Sequence, residues 1–96
     1  MVKEIDFVEL RALLVQGADL IDVREPEETS EDSKLPGDRN WPLSTFGLRQ
    51  KDLSKDRPTI FYCRSGLRSL KAAEIAEAWT DQTLYFLKGG LLNVKS

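Results

Sequence analysis

The chain has 96 residues, 41% of them hydrophobic and 31% charged, with a formal net charge of −2. That describes a single small domain over residues 1–96, able to bury roughly two-thirds of its unfolded surface. The charge balance, with no basic stripe, argues against nucleic acid as a partner. No apolar run approaches the ~18 residues of a membrane span, and residues 1–6 lack the apolar core of a signal peptide, so the expected location is cytoplasmic.

Val2 to Ile5 reads as a short strand. Asp6-Phe7-Val8-Glu9 then has the form of a capping box, in which Asp6 accepts an amide of the first turn and Glu9 reaches back to the cap. Phe7, Leu10, Leu13 and Leu14 fall on one helical face, and Gly17 is placed to stop the helix. Leu20-Ile21-Asp22-Val23 predicts a buried strand, whose Asp22 needs a partner. Pro26 opens a short helical turn in an acidic stretch of Glu25, Glu27, Glu28, Glu31 and Asp32, read as a solvated face. Pro36-Gly37 signals a turn. Arg39-Asn40-Trp41 predicts a short strand ended by Pro42, with Trp41 as core. Ser44 is a candidate cap for a brief helix running to Gln50, which Gly47 weakens.

Thr59 to Tyr62 is β-branched and aromatic, hence strand. From Ser69 to Trp79 a helix is expected, with Ala72, Ala73, Ile75, Ala76 and Trp79 facing inward and Lys71, Glu74 and Glu77 outward. Leu84 to Leu87 is a further strand, turned by Gly89-Gly90. Strands alternating with helices predict an α/β domain with a largely parallel sheet, whose sites gather at the carboxyl ends of the strands.

Cys63 falls at such an end. It is the only cysteine, so no internal disulfide forms, which fits a reducing compartment. A lone cysteine is otherwise a small core hydrophobe. Here it opens Cys63-Arg64-Ser65-Gly66-Leu67-Arg68 between a strand and a helix, and that placement favours a nucleophile. A free thiol is only a few per cent thiolate at neutral pH, and the chain has no histidine to serve as its base. The available stabilisers are the unpaired amides and dipole of the following helix, a nest of loop amides turned inward by Gly66, and the charges of Arg64 and Arg68, at least one of which is expected to point to solvent.

Taken together, Leu20 to Glu28, Leu35-Pro36-Gly37 with Asn40-Trp41-Pro42-Leu43, Tyr62 to Ser69 and Leu87 to Gly90 resemble the rhodanese family of sulfurtransferases in its single-domain form. The segments occur in the family's order, at close to its spacing, over nearly the whole chain. The resemblance implies a five-stranded, mostly parallel sheet flanked by helices on both faces. It implies that Cys63 attacks the sulfane sulfur of a small anionic donor such as thiosulfate, a persulfide or a polysulfide. Cys63 would hold the sulfur as a persulfide and release it to a cyanide or thiol acceptor, a thiol-bearing protein included. Arg64, Ser65, Gly66, Leu67, Arg68 and Ser69 are implied as the cradle, with Arg68 attracting the donor, and Asp22 and Arg24 as structural support. No cofactor and no metal are implied, and a monomer or weak dimer is expected.

The chain departs from the family at Lys34, where many relatives carry histidine, and at Asp38, where a small or apolar residue is common. It ends six residues after Gly90, where relatives often continue into a final helix, so cover for the site is expected to be short. Two other readings stand beside sulfur transfer. One is a carrier or sulfur-sensing module that loads Cys63 without turnover. The other, a cysteine phosphatase or arsenate reductase, is disfavoured because those enzymes place one residue more between cysteine and arginine than the four between Cys63 and Arg68.

Overall fold

The computed structural model describes residues 1–31 and 34–94; Asp32 of the acidic stretch lies outside them. Five strands, β1 (Val2–Ile5), β2 (Asp19–Asp22), β3 (Arg39–Asn40), β4 (Thr59–Tyr62) and β5 (Leu84–Leu87), form one sheet in the order β1-β5-β4-β2-β3. Every pairing is parallel. Helices α1 (Phe7–Val15), α2 (Pro26–Glu31) and α3 (Leu67–Ala76) and three 3-10 stretches, Leu43–Asp52, Glu77–Trp79 and Gly90–Asn93, complete the described elements.

Covered on both faces, the central strand carries an unbroken buried run. Successive side chains take opposite faces. Ile60 and Tyr62 pack with Leu10 of α1, Leu20 and Leu87. Phe61 and Cys63 pack with Trp41, Phe46 and the alanines of α3. Ala72, Ala73 and Ala76 are wholly buried, so α3 lies close on the sheet. Phe46 anchors this side, with ring centroids 5.4 Å from Phe61 and 5.2 Å from Trp79.

The capping box of Asp6 and Glu9 is present in both directions. Several expected boundaries move. The second strand starts at Asp19, while Val23 keeps a bond to the Tyr62 carbonyl at 3.0 Å. The third stops at Asn40, one residue before the buried Trp41. Ser44 caps nothing: Pro42 holds the cap position and the Ser44 hydroxyl donates to Glu25 Oε1 at 2.6 Å. The segment in which it lies is 3-10, broken at Thr45. The third helix begins at Leu67 rather than Ser69 and tightens to 3-10 over its last turn. Ile75, expected inside, is 37% exposed.

Candidate functional site: a thiol cradle at the switch point of the sheet

After β2 the chain moves outward to β3, and after β4 it moves the other way to β5. The switch point of the sheet therefore lies between β2 and β4, and the crevice beyond their carboxyl ends is where an open α/β sheet places its site. Arg24 and Cys63 occupy those two ends.

Cys63 is fully buried. Its sulfur accepts the amide of Gly66 at 3.1 Å and that of Ser69 at 3.4 Å. Gly66 is the N-cap of α3, and no side chain caps that helix. The sulfur thus takes the place of a capping oxygen, receiving a first-turn amide that would otherwise be orphaned. The same two amides and the positive end of the helix favour negative charge on sulfur. The sulfur also lies 3.6 Å from Ser69 Oγ, and that hydroxyl donates to the Gly66 carbonyl at 3.1 Å.

Two glycines make this loop possible. Gly66 has φ +100°, and a Cβ there would lie 3.1 Å from the Gly89 nitrogen. Gly90 has φ +57°, and a Cβ there would collide with the Cys63 carbonyl oxygen. Beyond it, the amides of Leu91 and Leu92 donate to the carbonyls of Cys63 and Arg64, each at 3.0 Å. Among the described residues, the cover after β5 is a single 3-10 turn, tied directly to the cysteine loop. Arg64, Ser65 and Leu67 are exposed on the loop, while Gly66 and Ser69 are buried beneath it.

Asp22 and Arg24 form a fully buried pair: Arg24 Nη2 meets Asp22 Oδ2 at 2.9 Å, and the Arg24 amide donates to Oδ1 at 2.9 Å. Burial works against the guanidinium charge, but the hydrogen bonds and charge of Asp22 outweigh it and raise the Arg24 pKa above its ordinary value. Asn40 Nδ2 closes the arrangement, donating to the carbonyls of Asp22 and Arg24 at 2.9 and 2.8 Å.

Arg68 does not reach the site as a free cation. Its Nη1 and Nη2 clasp Glu28 Oε2 and Oε1 of α2 at 2.7 and 2.8 Å, and Glu28 Oε2 also accepts the Glu25 amide at 2.8 Å. The Arg68 hydrogen bonds hold the Glu28 pKa down at about 2, against desolvation, and Glu28 in turn raises that of Arg68. Glu28 and Asn40 are the residues that sequence reasoning missed. In sequence Glu28 belongs to a solvated acidic face, and no local periodicity links it to a partner forty positions away. The two departures at Lys34 and Asp38 prove to be partners. Lys34 Nζ lies 2.9 Å from Asp38 Oδ1, and the Tyr62 hydroxyl donates to Asp38 Oδ2 while accepting the Leu35 amide at 3.1 Å.

The fold and this loop define an α/β domain that buries a cysteine at the head of a helix, with two backbone amides aimed at its sulfur. The chain belongs to the rhodanese-like domain family, whose model matches residues 6–96. It is 41% identical over 73 residues to the Bacillus subtilis protein YqhL, described as uncharacterized, covering 76% of this chain and 57% of that one. It is 32% identical over 94 residues to a sulfurtransferase of Allochromatium vinosum, covering 96% of this chain and 87% of the relative. Among solved structures, a rhodanese homologue of Thermus thermophilus superposes with a TM-score of 0.77 at 30% identity, covering 95% of this chain and 99% of that one. The family and fold expected from the sequence are both found.

Proposed function

We propose that this domain is a sulfurtransferase that carries sulfane sulfur on Cys63. The observation that carries the reading is the pair of amides, from Gly66 and Ser69, aimed at a cysteine sulfur that also heads α3. Such donors stabilise charge on sulfur whether it is the attacking thiolate or the outer atom of a persulfide. The Cys63 thiolate bonds the outer sulfur of the donor, the donor S–S bond breaks, and its electron pair leaves on sulfite or a thiolate. A cyanide or thiol acceptor then attacks the outer sulfur, and the electron pair of that S–S bond returns to Cys63.

The relative in A. vinosum named as a sulfurtransferase supports the class of reaction. Phosphate transfer fits less well, because the arginine at the end of the loop is already committed to Glu28. The chemistry is expected to proceed in the cytoplasm on a small anionic donor, without cofactor or metal, in a monomer or weak dimer. Intact-mass measurement after incubation with a sulfane donor should show one added sulfur on the wild type and none on Cys63→Ser, with cyanide removing it as thiocyanate. Equal rates for wild type and Cys63→Ser would overturn the proposal. Loading without turnover would leave Cys63 as a carrier.

A further inference from the structure

Sulfane donors differ in charge. Thiosulfate brings two negative charges to a site whose nucleophile is itself an anion, whereas a thiol-borne persulfide brings one at the reacting sulfur. A receptor for the dianion needs positive charge left over for it. Of the two loop arginines, Arg64 is turned out to solvent and has an interaction of its own, and the guanidinium of Arg68 is consumed by Glu28 through two short parallel bonds. Glu28 is held in that pose by the Glu25 amide, and Glu25 by Ser44 through Oγ at 2.6 Å and the amide at 3.3 Å. The clasp is half-buried, with side chains 34% and 31% exposed, so water weakens it less than an ordinary surface pair. Glu28 stays ionised across the physiological range.

We infer that Glu28 sets the charge of the donor: by occupying Arg68 it makes the cradle a poor receptor for a dianion, and the sulfur comes from a small, singly charged thiol persulfide rather than from thiosulfate. Small size follows from Cys63, whose sulfur lies wholly beneath the loop surface. This assignment rests on the sulfur-transfer reading and narrows it. The step is balanced: the Cys63 thiolate bonds the outer sulfur of the persulfide anion, the S–S bond breaks, and the donor departs as its thiolate, leaving the Cys63 persulfide anion. Glu28 acts through Arg68 as a positioning residue and touches no reacting atom.

The test compares donors that deliver the same outer sulfur with different charge. Thiosulfate is the dianion, methanethiosulfonate a monoanion of similar size, and cysteine persulfide represents the proposed class. In the wild type, loading of Cys63 should be faster with cysteine persulfide and methanethiosulfonate than with thiosulfate. Glu28→Gln should raise kcat/KM for thiosulfate about tenfold relative to methanethiosulfonate, chiefly through KM, because one compensating charge has been removed. Wild-type kcat/KM for thiosulfate should respond weakly to added KCl, and that of the variant should fall steeply. The salt series on the wild type stands even if the variant does not fold: a steep fall there would show that the cradle already recruits dianions, and would overturn the inference. So would a wild-type preference for thiosulfate, or a donor ratio unmoved by Glu28→Gln. If all donors load Cys63 and only the ratio fails to move, the sulfur-transfer reading survives. If none loads it, that reading falls and takes this inference with it.

Discussion

Asp22 and Arg24, two positions apart at the end of β2, hold each other in a pair from which solvent is wholly excluded. Residues two apart in an extended chain share a face, and Arg24, two positions beyond the last strand residue, folds its guanidinium back onto the carboxylate while its amide bonds the same group. Breaking such a pair leaves one buried charge unmatched, which costs about 3–5 kcal/mol. Asp22→Ala should lower the urea unfolding free energy by that amount, a large share of what a small domain has. Replacing both residues by apolar ones should recover much of the loss. A cost of under about 1 kcal/mol for Asp22→Ala would show that the pair behaves as a surface bridge and does not fix the strand end.

The cysteine loop is tied to the turn after β5, and Gly90 is the point of closest approach. Its Cβ would collide with the Cys63 carbonyl and stand 2.5 Å from that of Arg64. Gly90→Ala should therefore destabilise by about 1–3 kcal/mol through overpacking, with strain at its φ of +57° added, and should slow the loading of Cys63. Gly47 offers the contrast, since a Cβ there meets nothing within 4 Å. Gly47→Ala should be neutral or stabilising by about 0.4–1 kcal/mol. Urea titrations of the two variants check the pair, and equal effects would refute the assigned role of Gly90.

The sheet was legible because its determinants are local. Thr59-Ile60-Phe61-Tyr62 reads as a buried strand whatever surrounds it, and the Asp6–Glu9 box marks its helix from three residues of spacing. The placement of Cys63 was legible for the same reason, since strand, glycine loop and helix follow one another in the chain. The electrostatics of the site were not. Arg68 looks the same in sequence whether it faces a donor or a carboxylate, and its partner Glu28 reaches it only through the tertiary fold. Ser44 fails as a cap for a related reason: its hydroxyl finds Glu25, nineteen residues back. Lys34 and Asp38 lie at the i, i+4 spacing that invites an ion pair, but nothing local points to Tyr62 as the third member.

Tyr62 completes that cluster beneath the sheet end, one residue before Cys63. Burial, and then its hydrogen bond to Asp38, raise the phenol pKa well above the usual value near 10. Above that value the unfolded chain releases a proton that the folded one retains, so stability should fall as pH rises past 10. Tyrosinate absorbance from Tyr62 should appear only together with unfolding. Tyr62→Phe should remove this alkaline component while costing about 1–3 kcal/mol at neutral pH, because the Leu35 amide and Asp38 lose a partner. Ionisation of Tyr62 in the folded protein near pH 10 would contradict the assignment.

The Glu28–Arg68 clasp has an acid signature of opposite sign. Its carboxylate titrates at about 2 in the folded chain against an ordinary value of 4.5. A depressed carboxylate contributes stability that is fully present above its unfolded value and is lost as the pH falls through the folded one. The difference in unfolding free energy between wild type and Glu28→Gln should therefore be constant from neutral pH down to about 5, shrink below 4.5, and vanish near pH 2. Partial exposure of both side chains limits its size, so the shape of the curve carries the result. Urea midpoints across that range provide the measurement. A difference that persists unchanged to about pH 2 would mean that the substitution perturbs packing, and that the clasp seen between α2 and the first turn of α3 is not what the charge of Glu28 maintains.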